Sequence, residues 1–360
     1  LVISSCGGSD PTPVDGGNDP TPLDGGSDLL PIDEGIDIAI LDPGMDMATD
    51  EGQELPPPAP IDYHCQRVEE GHGPLGQVDF QLETVASGLE VPWSIAFLPD
   101  GDMLVTVRGG KLLRIKPNGT VVDPPVATLT LLPSGEGGLL GLALHPNFEE
   151  NNWFYLYFTT ELNGKRVNRV QRWILASDGQ SASPVDMIID QIPAKTYHNG
   201  GRLRFGPDNK LYVGTGDAGV PEVSQDPQSL AGKILRLNDD GSIPNDNPFP
   251  GSAAYVIGVR NSQGFDWRDD GRMFIVDHGP SGFGVEDGRM NHDEVHIAEA
   301  GDNLGWPNIY ACEEAEGMHS PLMTWADALP PGGAAIYRGT TISAWQGDLF
   351  VGVLGFGGDI

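Results

Sequence analysis

His198 is the residue best suited to move a proton. An imidazole ordinarily titrates near neutrality, so it can accept a proton at physiological pH. It stands in the stretch Tyr197-His198-Asn199-Gly200-Gly201-Arg202. Asn199, Gly200 and Gly201 leave the backbone beside it open to close approach by a ligand. Asp217 closes the same stretch. A carboxylate there would orient the imidazole and stabilise its charged form. The plainer reading is a loop histidine and a turn aspartate with no shared role.

Two strands must position this pair. Leu203 and Phe205, then Leu211, Tyr212 and Val213 after the turn Pro207-Asp208-Asn209, read as a hairpin. If both strands run as read, Asp217 emerges near the end where His198 enters.

The hairpin has relatives along the chain. A turn followed by a strand occurs as Pro99-Asp100-Gly101-Asp102-Met103-Leu104-Val105 and as Pro207-Asp208-Asn209-Lys210-Leu211-Tyr212-Val213. It recurs as Asp269-Asp270-Gly271-Arg272-Met273-Phe274-Ile275 and, more loosely, as Trp345-Gln346-Gly347-Asp348-Leu349-Phe350-Val351. A companion strand repeats as Gly110-Lys111-Leu112-Leu113-Arg114-Ile115 and Gly232-Lys233-Ile234-Leu235-Arg236-Leu237. Trp153 to Phe158 and the alternating Val170 to Ile174 add further strands, whose aromatics read as core. Fifty glycines and 31 prolines favour a turn-rich, all-β chain over helices. Repeated hairpins of this kind predict a β-propeller. At about 45 residues per blade the length suits six blades, the last one incomplete. A tandem of β-sandwiches is the rival, which the repeated turn-strand text disfavours.

Charge narrows the function. The chain carries a net charge of −32 and has a pI near 4.3, which argues against nucleic acid as a partner. The imbalance is uneven: residues 1–62 hold 14 acidic side chains and no Lys or Arg. Residues 7–62 are low-complexity Asp, Gly and Pro text that reads as an extended, disordered linker. Its acids lack the ordered ligand spacing of an EF-hand loop. Residues 1–6 end in Ile3-Ser4-Ser5-Cys6, which resembles the lipobox of a bacterial lipoprotein signal. That reading places the protein in the cell envelope, periplasmic or on the outer surface, with a lipid anchor as its one membrane contact. The plainer reading is a free cysteine near a terminus. Cys65 and Cys312 either form a disulfide or are two unrelated thiols. His64, His72, His145, His292, His296 and His319 show no spacing typical of a zinc site. No run of about 18 apolar residues predicts a membrane-spanning helix.

Residues 78–360 form the predicted propeller domain, and their motifs resemble a known family. In order they are Val91-Pro92-Trp93-Ser94-Ile95-Ala96-Phe97, Gly135-Glu136-Gly137-Gly138-Leu139-Leu140-Gly141 with His145-Pro146, and His198-Asn199-Gly200-Gly201-Arg202-Leu203. Gly232 to Leu237 follows, with Asp240-Gly241-Ser242-Ile243-Pro244 and Asn247-Pro248. Last come Arg260-Asn261-Ser262-Gln263-Gly264, His278-Gly279-Pro280, Asp293-Glu294 and Asn303-Leu304-Gly305-Trp306-Pro307. The set, spread over roughly residues 82–354, resembles the soluble PQQ-dependent aldose sugar dehydrogenases, the glucose/sorbosone dehydrogenase-like propellers.

The resemblance implies a role for each residue. His198 would take the proton of the anomeric hydroxyl while hydride passes to PQQ, giving a lactone. Asp217 would support it. Arg260 and Asn261 would contact the quinone, the guanidinium stabilising negative charge on the reduced cofactor. The carbonyls of Gly279 and Pro280 would hold a calcium ion against PQQ. Glu136 falls where the family places a polar side chain over the active site and would touch sugar or cofactor, and His278, beside the calcium carbonyls, would touch the cofactor. A sugar substrate and an external electron acceptor follow as partners. Two departures stand out. The family supplies a lysine to PQQ just after the strand matching Leu349 to Val353, whereas Gly352 to Gly358 contains no lysine or arginine. The chain also stops at Ile360, before further cofactor contacts are expected. Two rivals remain: a non-catalytic propeller binding carbohydrate or protein, and a calcium-dependent lactonase, which would want side-chain carboxylates and amides on the metal.

Overall fold

The structure is a computed structural model that describes residues 64–354, apart from positions 74, 75, 77, 79, 132 and 283. The reading of Cys6 as a lipobox and of residues 7–62 as a linker lies outside the described residues. β1 (Gln66–Val68) comes first. The first sheet is β2 (Pro92–Phe97), β3 (Met103–Val107), β4 (Lys111–Ile115) and β5 (Ala127–Thr128). The second is β6 (Leu139–Leu144), β7 (Trp153–Leu162), β8 (Lys165–Leu175) and β9 (Ala182–Pro193). The third is β10 (Leu203–Phe205), β11 (Leu211–Gly214), β12 (Ile234–Leu237) and β13 (Ala254–Val256). The fourth is β14 (Ser262–Trp267), β15 (Met273–Asp277), β16 (Glu294–Ala298) and β17 (Met323–Trp325), with β1 added in parallel to β17. β18 (Pro331–Ile336) and β19 (Leu349–Val353) pair as a fifth, two-stranded sheet.

Apart from the parallel β1, the strands of each sheet pair antiparallel in chain order, and β2 packs on β6, β6 on β10, and β14 on β18. The arrangement is all-β and propeller-like. It differs from the expected six blades: four sheets have four or five strands and one has two. Dividing length by repeat size overcounts because strands and loops are uneven. β7, β8 and β9 run to 10, 11 and 12 residues, and long loops join β11 to β12, β15 to β16 and β16 to β17.

The repeated turns have one local cause. Asp100, Asp208 and Asp270 each accept the backbone N–H two residues on, at 3.0, 3.1 and 3.2 Å. The residue between takes the left-handed region: Gly101 (φ 85°), Asn209 (φ 57°) and Gly271 (φ 84°). Asn replaces Gly in the third sheet because its short amide tolerates that conformation. The second strands that follow, β3, β11 and β15, are buried throughout. Apolar side chains on both faces fill the space between sheets, with Leu104, Leu211, Val213 and Ile275 at zero exposure. In β7, Tyr157 belongs to this core and its hydroxyl donates to the Asn199 carbonyl at 2.7 Å. The core thus reaches the loop that carries His198.

Cys65 and Cys312 form a disulfide, with Cα atoms 5.5 Å apart, so the chain before β1 is fastened to the fourth sheet. Among the described residues no helix is long and apolar enough to cross a membrane.

Candidate functional site

The loop before β10 and the segment after β11 fold tightly together. β10 pairs with β11 in the register Leu203↔Val213, so residues 198–201 meet residues 214–217 at one end of the sheet. Gly201 N–H donates to the Gly214 carbonyl at 2.8 Å. Glycine is needed on both sides: a Cβ on Gly216 would lie 2.2 Å from the His198 carbonyl oxygen, and one on Gly200 would lie 2.5 Å from the Gly214 oxygen. His198 itself takes φ 54°, a costly conformation for a residue with a side chain. Glu136 Oε2 accepts its N–H at 2.8 Å, and its carbonyl accepts from Ala218 N–H at 3.2 Å.

His198 and Asp217 are both buried. The imidazole Nδ1 lies 2.7 Å from Asp217 Oδ1. A carboxylate oxygen only accepts, so Nδ1 carries the proton and Nε2 is the lone-pair nitrogen. Asp217 Oδ1 also accepts from Gly219 N–H at 2.6 Å, and Oδ2 accepts from Trp306 Nε1 at 2.9 Å. The Tyr197 ring meets the imidazole edge-on, with centroids 4.8 Å apart. The arrangement leaves a fixed, basic Nε2 able to receive a proton.

Arg260 and Asn261 form the opposite wall. Asp277 captures both backbone amides, Oδ2 from Arg260 at 2.7 Å and Oδ1 from Asn261 at 2.6 Å. Burial pushes the Asp277 carboxyl up to about 6, and nearby Glu294 adds to the rise. The Arg260 guanidinium pairs with Glu286, Nε and Nη2 reaching Oε1 at 2.8 and 2.6 Å, and Nη2 also reaches Ser281 Oγ at 3.1 Å. Asn261 bridges the walls: Oδ1 accepts from Gly200 N–H at 2.9 Å and Nδ2 donates to Glu136 Oε2 at 3.3 Å. His278 Nε2 donates to the Pro331 carbonyl at 3.1 Å, which leaves Nδ1 facing the Asn261 amide at 3.5 Å. Burial, with repulsion from Arg260 and His198, pulls the His278 imidazole down to about 3, so it stays neutral.

The structure therefore joins His198, Asp217, Glu136, Arg260, Asn261 and His278 in one hydrogen-bonded group. Gly279 and Pro280 adjoin it along the chain. Gly279 N–H donates to Asp293 Oδ1 at 2.9 Å, and the Pro280 carbonyl already accepts from Asn291 N–H at 2.8 Å. Among the described residues no three His, Cys, Asp or Glu side chains converge to hold a metal. Four side chains escaped the sequence reading: Trp306, Asp277, Glu286 and Asp293. Asp293 and Trp306 stood inside quoted motifs, Asp293-Glu294 and Asn303 to Pro307, without a role, and nothing local ties an indole to a carboxylate 89 residues away. Glu286 lies in a loop with no period or spacing to mark it.

Fold and site together define an all-β, propeller-type protein with a buried His–Asp pair at the end of one sheet. The chain belongs to the glucose/sorbosone dehydrogenase family, whose sequence model matches residues 89–358. It is 31% identical over 298 residues to the aldose sugar dehydrogenase YliI of Escherichia coli, covering 76% of this chain and 77% of that one. A solved oxidoreductase of Thermus thermophilus, described as a glucose dehydrogenase, matches at 39% identity and TM-score 0.67, covering 75% of this chain and 78% of its own. The PQQ-bound aldose sugar dehydrogenase of Streptomyces coelicolor matches at 35% identity and TM-score 0.65, covering 75% and 83%.

Proposed function

We propose that the protein is a quinoprotein that oxidises aldose sugars at the anomeric carbon to lactones, with PQQ as hydride acceptor. The observation that carries this reading is the His198–Asp217–Trp306 relay, which fixes Nδ1 as donor and leaves Nε2 to receive a proton. His198 Nε2 takes the proton of the anomeric hydroxyl as the C–H bond gives up its hydride. Asp217 steadies the imidazolium that results. PQQ when bound supplies the two-electron acceptor, and an external acceptor then reoxidises it.

The residues present suit an anionic quinone. The loosest donors in the group are the Arg260 Nη1, 3.4 Å from the His278 carbonyl, and the Asn261 amide, with contacts of 3.3 and 3.5 Å. They are the ones a quinone oxygen would satisfy. Gly279 and Pro280 would lend carbonyl oxygens to a calcium ion, which prefers such hard ligands. A lipid-anchored site in the cell envelope, through Cys6 and the linker, completes the proposal.

A specific observation favours a second reading, a non-catalytic binding propeller. The Arg260 charge is already matched by Glu286, and residues 352–358 offer no cation. Sugar-dependent dye reduction, with PQQ and calcium added or withheld, separates the two. The dehydrogenase reading expects turnover that needs both additions and falls at least about 100-fold in His198→Ala. Absence of both turnover and PQQ binding would leave the binding propeller.

A further inference from the structure

Between β15 and β16 the chain makes a loop with a closed neck. Ser281 and Met290 bridge, and Asn291 N–H donates to the Pro280 carbonyl at 2.8 Å. Much of the loop faces water: Gly282, Gly284, Val285, Asp287, Gly288 and Met290 are exposed. Glu286 turns inward, with 3% of its surface exposed. Contacts to the segment that carries Trp306 fix the loop in this pose. Arg289 donates from Nη1 to the Pro307 carbonyl, and the Tyr310 hydroxyl donates to the Met290 carbonyl.

The Glu286 carboxylate is committed to one cation. Oε1 accepts from Arg260 Nε and Nη2 at 2.8 and 2.6 Å, and Oε2 accepts from Ser281 N–H at 2.9 Å. The two side chains keep 2% and 1% exposure, so solvent and salt screen the pair little. The neighbouring acids are engaged elsewhere. Asp277 holds the backbone N–H groups of Arg260 and Asn261, and Asp293 holds those of Gly279 and Leu329. A buried ion pair is a poor way to add stability, because an apolar pair of the same volume does as well or better. An electrostatic role accounts for it. Glu286 takes the Nε–Nη2 edge of the guanidinium and leaves Nη1, 3.4 Å from the His278 carbonyl, as the donor for a ligand.

We propose that Glu286 sets the redox balance of the bound quinone by acting through Arg260. It cancels most of the guanidinium charge while holding Nη1 in place as a donor. The inference rests on the dehydrogenase reading. An unpaired buried cation favours the more negative, reduced form of PQQ and holds its two electrons back from the external acceptor. The paired cation still orients the cofactor but favours the reduced form less. Glu286 is thus a positioning residue, reaching the cofactor through the arginine.

The test is the midpoint potential of PQQ bound to the full chain, measured by equilibration with redox dyes, beside a fluorescence-quenching titration of PQQ affinity. Glu286→Gln keeps an acceptor oxygen for Arg260 and removes the charge. It should raise the affinity for reduced over oxidised PQQ about tenfold, a rise of about 30 mV for a two-electron couple, without weakening PQQ binding. Asp287→Asn, at the exposed acid next along the loop, should leave the potential unchanged. The double variant Arg260→Gln with Glu286→Gln strands no charge, so it keeps the test alive even if Glu286→Gln fails to fold. Its reduced-to-oxidised ratio should stay within about threefold of wild type, as a neutral pair replaces a neutral pair. A purely structural Glu286 would instead give weaker PQQ binding at an unmoved potential, which overturns the proposal. An equal shift in Asp287→Asn, or a tenfold fall in the ratio for the double variant, also overturns it. If wild type binds no PQQ, the dehydrogenase reading falls and takes this inference with it. PQQ binding with no shift in Glu286→Gln removes the inference and leaves that reading standing.

Discussion

Behind His198 and Asp217 lies a buried cation, and behind Arg260 and Asn261 lie three buried acids. Lys233, with no exposed surface, sends Nζ to the carbonyls of Val223, Ala231 and Ser224 at 2.7, 2.8 and 2.9 Å, with Gly232 at 3.4 Å. Its backbone meets Thr215, two residues before Asp217. The other wall works with the opposite polarity. Asp277 and Asp293 gather backbone N–H groups, and Glu286 neutralises Arg260. Both walls solve the same problem, which is that irregular loops at the sheet ends leave backbone polar groups without ladder partners. The third sheet exposes carbonyls there and is held by an ammonium. The fourth exposes amides and is held by carboxylates. Unequal sensitivity should follow, because removing a partner from a buried ion pair strands a charge, whereas removing a cation from a carbonyl cage does not.

The largest effect is expected at Glu286. Glu286→Ala leaves the Arg260 guanidinium buried with Ser281 Oγ and a long contact to the His278 carbonyl. The expected loss is about 3–5 kcal/mol in urea unfolding, and a loss under about 1 kcal/mol would show that Arg260 readily swings to water. Asp277→Asn comes next. The carboxamide can accept one of the two amides but turns a donor toward the other, for a loss of about 1–2 kcal/mol near pH 8. Its pH dependence has a definite sign. The folded carboxyl titrates at about 6 against 3.8 unfolded, so the native state binds the proton more tightly. Wild type therefore gains stability as pH falls from 6 toward 4, and the deficit of Asp277→Asn widens over that window. Parallel pH–stability curves for the two proteins would remove Asp277 from this role.

The legible parts of the molecule were those with a local signature. The turns at Asp100, Asp208 and Asp270 were readable because an Asx side chain and a left-handed residue act within three positions. The His198–Asp217 contact was readable because one short hairpin joins them. The number of sheets was not, since the strand lengths of the second sheet and the loops around the site carry no period. The groups that steady the site were also hidden. Lys233 sits in a repeated strand motif whose other copy, Lys111, is exposed at the same point of β4. Only the loop Pro221–Gln225, folded over β12 in the third sheet, turns that lysine into a buried cation.

Lys233→Met sharpens the comparison with the smallest expected effect. Methionine replaces the stem at similar volume, and most of the cage survives without the ammonium. The Val223, Ser224 and Gly232 carbonyls each keep a backbone donor, from Asp226, Gly258 and Val259. The loss near pH 7 should be about 1 kcal/mol or less. The informative quantity is again the slope. Burial pulls Lys233 down to about 7 from 10.5, so between those values the unfolded chain holds a proton that the native one has released. Wild-type stability therefore rises with pH from about 7 to 10, and Lys233→Met should lack that rise. Its deficit then grows toward alkaline pH, opposite to the acid-side divergence expected for Asp277→Asn. Equal curves for wild type and Lys233→Met across that range would mean that the carbonyl cage holds the ammonium as firmly as water does, and the contrast between the two walls would fail.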